Sequence, residues 1–257
     1  MSKRLVAMGD SFTEGVGDDD PDSPNGVRGW ADRVADQLAR HSEDFTYANL
    51  AVRGKLLGQV LAEQLEPALQ LEPDLVTLYA GGNDLMRPKA DIDALMLRYD
   101  NAVQRLVASG ATVVLFTGVD GVEDPLFRKI RGRVAIYNEH CRVIAARHGA
   151  LVVDMWAMRQ LCDRRLWSED RLHLNSAGHN EIAIAVLDVL GVPHALTPVE
   201  LGPAVLDNPW QRRAQNLQWG REHALPWIGR RLRGQSSGDT VVAKRPALAP
   251  VLQRAAD

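Results

Sequence analysis

Four short stretches of this 257-residue chain carry groups fit for catalysis, and each follows or flanks an apolar run. The first is Met8-Gly9-Asp10-Ser11-Phe12-Thr13-Glu14-Gly15, with one serine between glycines and acidic neighbours. The second is Asn49-Leu50-Ala51-Val52-Arg53-Gly54, the third Gly81-Gly82-Asn83-Asp84, the fourth Asp170-Arg171-Leu172-His173. Acyl transfer is the chemistry that would use all four. A serine hydroxyl is a weak nucleophile and needs a base within hydrogen-bond reach. His173 is the candidate base, and Asp170, three residues earlier, can hold the imidazole through its second nitrogen. A developing oxyanion needs donors aimed at it. The Ser11 N–H, the Gly54 N–H and the Asn83 side-chain amide could supply three.

Simpler roles compete at several of these positions. Ser11 could be a helix N-cap, a role that Ser and Asp favour. Asp10 reads as a brace for the turn, and Asp84 as a turn residue before a catalytic carboxylate. His179, six residues past His173, reads as a packed structural histidine. The remaining histidines show no ligand-like spacing, so neither metal nor cofactor is expected. Asp18-Asp19-Asp20-Pro21-Asp22 faintly resembles a calcium loop, but Ser23 and Gly29 stand where glycine and glutamate are required. Gly15-Val16-Gly17 lacks the third glycine of a dinucleotide fingerprint. Gly54-Lys55 lacks the earlier glycine and the Ser/Thr of a phosphate loop. No GxSxG elbow surrounds Ser11.

Positioning such groups takes a scaffold, and the apolar pattern supplies one. Strand-length runs at 4–9, 45–52, 75–80, 112–118 and 150–156 alternate with helical patterns at 29–40, 57–71, 91–109, 131–148 and 176–190. Five nearly continuous apolar strands alternating with helices predict an α/β fold with a parallel sheet covered on both faces. In such sheets active groups gather at the carboxyl ends of the strands.

The four stretches resemble the blocks of the SGNH hydrolases, also called GDSL-type esterases and lipases. Gly9-Asp10-Ser11-Phe12 is similar to the GDS block, with Phe12 where leucine is frequent. Gly54, preceded by Asn49, matches the second block, Gly82-Asn83-Asp84 the third and Asp170-Arg171-Leu172-His173 the DxxH block. The resemblance covers roughly residues 3–190. It implies a flavodoxin-like three-layer sandwich with a five-stranded parallel sheet, and ester hydrolysis without a metal. It implies Ser11 as nucleophile, His173 as base, Asp170 as its orienter, and Gly54 and Asn83 as partners of Ser11 in the oxyanion hole. The expected substrate is a small-molecule carboxylic ester of small or medium acyl group. An acyltransferase using the same site, or a non-catalytic interaction module, are the alternatives.

The organisation reads as a hydrolase domain over 1–196, a Trp/Arg-rich and helical extension over 197–233, and a flexible tail over 234–257. Residues 202–257 carry nine Lys+Arg against four Asp+Glu, leaving an acidic body under a basic tail. The tail reads as folding back on that body, and no nucleic-acid partner is expected. The first apolar run is too short for a secretory core of roughly 7–15 residues. No run approaches the roughly 18 residues needed to span a bilayer. With Cys141 and Cys162 reading as free thiols, a cytoplasmic protein is expected. Oligomeric state is not legible.

Overall fold

The computed structural model describes residues 3–122, 124–203, 210, 213, 217, 219–224 and 236–251. Among these described residues six strands form one sheet: β1 Arg4–Gly9, β2 Thr46–Asn49, β3 Leu75–Tyr79, β4 Thr112–Phe116, β5 Leu151–Val153 and β6 Arg245–Pro250. Their order is β5-β4-β3-β1-β2-β6. The first five are parallel, and β6 is antiparallel to β2. The helices are α1 Ser11–Glu14, α2 Gly29–Ala39, α3 Leu57–Gln70, α4 Gly82–Leu85, α5 Ile92–Ala108, α6 Pro125–His148 and α7 Ser176–Leu190.

The alternation of side chains along each strand assigns the layers. Val6 and Met8 of β1, with Val76, Leu78, Val113 and Leu115, face α3, α5 and α6 and bury Val60, Leu65, Leu95, Leu106 and Tyr137. Leu5 and Ala7, with Leu75, Val114 and Phe116, face α2 and α7 and bury Trp30, Val34, Ile182 and Val186. Both faces are covered, which is why these strands read as unbroken apolar runs. Along the parallel part the order 2-1-3-4-5 is the doubly wound, flavodoxin-like one, and its switch point falls between β1 and β3.

The expected five-stranded sheet thus gains a sixth strand. It lies in the segment from Gly234 onward that composition marks as a flexible terminus. Arg245–Pro250 contains two prolines, which argue against a central strand but are tolerated at a sheet edge. Within the described part of the tail, the segment at Lys244 lies against the body: its ammonium is buried and donates to the Val27 carbonyl (3.3 Å), the Arg28 carbonyl (2.6 Å) and Asp32 Oδ2 (2.7 Å). Within the expected helical extension, Gly220–Ala224 forms a single π-helical turn. Trp227 and the arginines at 230, 231 and 233 lie outside the described residues. No helix among the described residues is long and apolar enough to cross a membrane.

Candidate active site

The switch point gathers the four stretches. β1 ends at Gly9 beside Tyr79 of β3, so the chain segments that leave these two strands diverge from one crevice. Asp10 caps α1, its Oδ1 accepting the Phe12 N–H at 3.2 Å, and the cap puts Ser11 at the first position of the helix. Phe12 anchors this turn among the rings of Trp30, Tyr79 and Phe116, with centroids 4.9–5.6 Å away. Gly9 is gripped from the side, its N–H donating to Gln64 Oε1 (2.8 Å) and its carbonyl accepting from Gln64 Nε2 (2.9 Å).

Ser11, His173 and Asp170 form one hydrogen-bonded line. The Ser11 hydroxyl lies 3.0 Å from His173 Nε2, and His173 Nδ1 lies 2.6 Å from Asp170 Oδ2. A carboxylate can only accept, so Nδ1 carries the proton and Nε2 is left to accept the serine hydroxyl. The other carboxylate oxygen, Oδ1, accepts from the Ser168 hydroxyl (2.6 Å), the Leu172 N–H (2.9 Å) and the His173 N–H (3.1 Å). Burial alone would raise the Asp170 pKa. The His173 hydrogen bond and charge, helped by Ser168 and Leu172, outweigh it and hold the carboxyl well below its usual range. Asp170 therefore stays ionised at any working pH.

The remaining predicted residues are placed by separate contacts. Asn83, in α4, donates its side-chain amide to the Lys55 carbonyl (3.1 Å) and, more loosely, to Asp10 Oδ2 (3.4 Å). Asp84 Oδ2 accepts the Leu57 N–H at 2.9 Å and so ties α4 to the start of α3. Gly54 adopts φ +75°, which a residue with a side chain would hold only under strain. Asp10 is buried, and desolvation pushes its pKa up to about 7 against the opposing Phe12 N–H and the His173 charge. His179 is fully buried. Its Nδ1 accepts the Trp30 N–H (3.2 Å) and its Nε2 lies 3.3 Å from the Val16 carbonyl, the packed structural role expected of it. Desolvation lowers its pKa to about 4.

Three contributors were not legible in the sequence. Glu14 is fully buried and takes the Arg53 N–H on Oε2 (2.7 Å) and the Arg53 guanidinium on both oxygens (2.7–3.1 Å). Trp219, in the extension, donates Nε1–H to the Asp170 carbonyl at 3.0 Å and carries the Arg171 guanidinium over its ring at 5.1 Å. Arg171 sits at φ +58°, so this brace holds a strained residue between Asp170 and His173. Ser236, Ser237 and Gly238 pack against Arg53 and Gly54. Glu14 had one signal, an acid three residues past the serine, but nothing marked Arg53 as its partner. The other two act over separations that no local pattern encodes. Among the described residues, no cluster of three or more His, Cys, Asp or Glu is arranged to hold a metal.

A flavodoxin-like sheet with this Ser, His, Asp, Gly and Asn set at its carboxyl edge defines the SGNH class. A model of the GDSL-like Lipase/Acylhydrolase family matches residues 7–180, and the chain belongs to that family. It is 30% identical over 145 residues to the Uncharacterized protein YpmR of Bacillus subtilis (strain 168), across 54% of this chain and 49% of that protein. The chain thus spans about half the length of the curated relative it matches. Among solved structures it resembles TesA, with TM-score 0.59 and 23% identity over 73% of this chain and 97% of that one. It likewise resembles Axe2, an acetylxylan esterase from Geobacillus stearothermophilus, with TM-score 0.61 and 21% identity over 74% of this chain and 95% of that one. At such identities these two likenesses speak for the fold.

Proposed function

We propose that the protein is a serine esterase that hydrolyses carboxylic esters of small or medium acyl group through an acyl-serine intermediate. The observation that carries this is the Ser11–His173–Asp170 line, at 3.0 and 2.6 Å, with the Asn83 amide 3.4 Å from Oδ2 of the neighbouring Asp10. Family membership supports ester chemistry in general terms.

In the first half-reaction Ser11 Oγ attacks the ester carbonyl carbon while its proton passes to His173 Nε2. The carbonyl π bond opens and the oxygen takes the charge, facing the Ser11 N–H, the Gly54 N–H and the Asn83 amide. The loose 3.4 Å contact from Asn83 to Asp10 is the one that yields to the oxyanion. Collapse expels the alkoxide, which leaves as the alcohol with the proton from His173. In the second half water attacks the acyl carbon, gives its proton to His173, and Ser11 recovers that proton as the carboxylic acid departs. Asp170 holds the ring tautomer throughout and stabilises the imidazolium formed in each half. The free thiols Cys141 and Cys162 fit a reducing compartment, which supports a cytoplasmic setting.

The test compares wild type and Ser11→Ala on p-nitrophenyl acetate and butyrate. Wild type is expected to turn over and to gain one covalent adduct at Ser11 from a fluorophosphonate. The variant should lose both, with a fall of at least a thousandfold in kcat/KM. Equal rates in the two proteins would refute the assignment.

A further inference from the structure

The C-terminal segment reaches the peptide group that carries the Gly54 N–H. The peptide joining Arg53 to Gly54 bears the Arg53 carbonyl on one edge and the Gly54 N–H, a proposed oxyanion donor, on the other. Peptide planarity makes the two directions inseparable: whatever fixes the carbonyl fixes the N–H. Two elements flank this peptide. From the body, buried Glu14 grips the preceding peptide through the Arg53 N–H, and the Arg53 guanidinium with it. From the tail, Gly238 lies so close that a Cβ added to it would collide with the Arg53 carbonyl oxygen and meet Val52 Cγ1 at 3.1 Å. A Cβ on Gly54 would in turn meet the hydroxyls of Ser236 and Ser237.

The turn that makes these contacts is stiffened and moored. The Ser236 N–H donates to Asp239 Oδ2 (2.8 Å), the Asp239 N–H to the Ser236 carbonyl (3.3 Å) and the Gly238 N–H to Ser236 Oγ (3.2 Å). Just downstream, the Val242 carbonyl accepts from Asn25 Nδ2 at 2.9 Å, buried Lys244 pairs with Asp32, and β6 runs beside β2. The loop connecting β2 to Gly54 therefore lies next to the strand that anchors the turn. The turn itself, Val242, Lys244 and β6 lie beyond residues 7–180, the span of the family match, and their partners lie within it. A mobile tail would not supply a buried glycine in contact with a backbone carbonyl, nor a buried lysine with three acceptors.

We propose that the turn Ser236–Asp239 is a positioning element of the oxyanion hole, in which Gly238 seats the Arg53 carbonyl so that the Gly54 N–H points at the developing oxyanion. The proposal rests on the esterase reading above. It makes Gly238 a positioning residue, acting through Gly54, and assigns to the extension a share in transition-state stabilisation.

Gly238→Ala tests it. The added methyl must displace the Arg53 carbonyl, which turns the Gly54 N–H by the same angle, and a hydrogen bond weakens steeply as it bends toward ~120°. Complete loss of one oxyanion donor costs about 100- to 1,000-fold in kcat. A misaimed donor is therefore expected to cost about 10- to 100-fold in kcat for p-nitrophenyl acetate. KM should stay within about threefold, because the contact forms only in the transition state. The Ki of an alkyl trifluoromethyl ketone, which forms a tetrahedral oxyanion with the serine, should rise in step with the fall in kcat/KM. A second variant, Asp239→Ala, slackens the turn without adding bulk and should show the same pattern at about 3- to 10-fold. An unchanged kcat in Gly238→Ala with a cooperative melt would overturn the proposal. So would a rise in KM alone. If Gly238→Ala does not fold, an unchanged kcat in Asp239→Ala overturns it instead. Failure of the esterase reading shows separately, as wild type that turns over no ester and gains no phosphonate adduct at Ser11.

Discussion

Asp170→Asn offers the sharpest test of the proposed acid–base machinery, because the hydrogen bonds around Asp170 dictate how an amide must sit there. Oδ1 accepts the backbone N–H groups of Leu172 and His173 and the Ser168 hydroxyl, whereas Oδ2 faces only His173 Nδ1. An asparagine would keep its oxygen toward the two backbone donors and turn its NH2 to the imidazole. That NH2 can only donate, so Nδ1 becomes the acceptor, the ring proton moves to Nε2, and Nε2 can no longer take the proton of Ser11. Recovering the productive tautomer requires flipping the amide. Two backbone N–H groups would then face an NH2, while the Ser168 hydroxyl could rotate and accept. Each unsatisfied donor costs about 2 kcal/mol, so the flip costs about 4 kcal/mol. That corresponds to roughly a thousandfold in rate. Loss of the charge that stabilises the imidazolium adds about another factor of ten, in line with other triads. The assay is kcat on p-nitrophenyl acetate together with a thermal melt, and the expected result is a fall of a thousandfold or more in an intact fold. A fall of less than tenfold with unchanged melting would mean that Asp170 only shapes its loop, and the tautomer argument would be refuted.

Two further predictions follow from the buried titrating groups. Asp10, pushed up to about 7 from an ordinary 3.8, binds its proton more tightly in the folded chain. The stability it contributes is full below pH ~4 and is lost as pH rises through 7, by on the order of 4 kcal/mol. Asp10→Asn keeps the oxygen that caps Phe12, so its melting temperature relative to wild type should climb by roughly 10 °C between pH 4.5 and 8. A constant difference across that range contradicts the desolvation argument. His179 has the opposite sign: lowered to about 4 from 6.5, it stays neutral when folded. Stability should therefore drop as pH falls from about 6.5 toward 4, by on the order of a few kcal/mol. His179→Gln should flatten that acid limb of the stability profile, and a limb of unchanged slope would point to other groups.

How much of this could be read from the chain follows from the range of each interaction. Ser11, Asp170 and His173 were legible because the Asp–His pair is local and the serine sits at a strand exit that an apolar run announces. The five parallel strands were legible for the same reason: Leu5–Met8 and Val113–Phe116 are apolar on both faces, because helices cover both. β6 was not. Arg245–Pro250 has no alternation to speak of and two prolines, and it becomes a strand only because β2 offers an unpaired edge and Lys244 has a carboxylate to reach. Helix α6 starts at Pro125, six residues before the apolar periodicity from Arg131 suggests, since proline is favoured in a first turn. Glu14 and Gly238 were illegible as site residues because both meet Arg53 across long stretches of sequence, Glu14 at its N–H and guanidinium and Gly238 at its carbonyl. A pattern of residue types holds no record of which backbone group lies opposite which.

The margins of the sheet carry a consequence for how the molecule behaves in company. At one border stands β5, three residues long, and at the other β6, interrupted at Pro246 and Pro250. Neither offers an incoming chain a long row of backbone donors and acceptors, so growth of the sheet from one molecule into the next is discouraged on both sides. Shortening the chain ahead of Arg245 would bare Thr46–Asn49, a ready template for intermolecular pairing. Where the last strand ends is therefore also a matter of solubility in a crowded, concentrated solution.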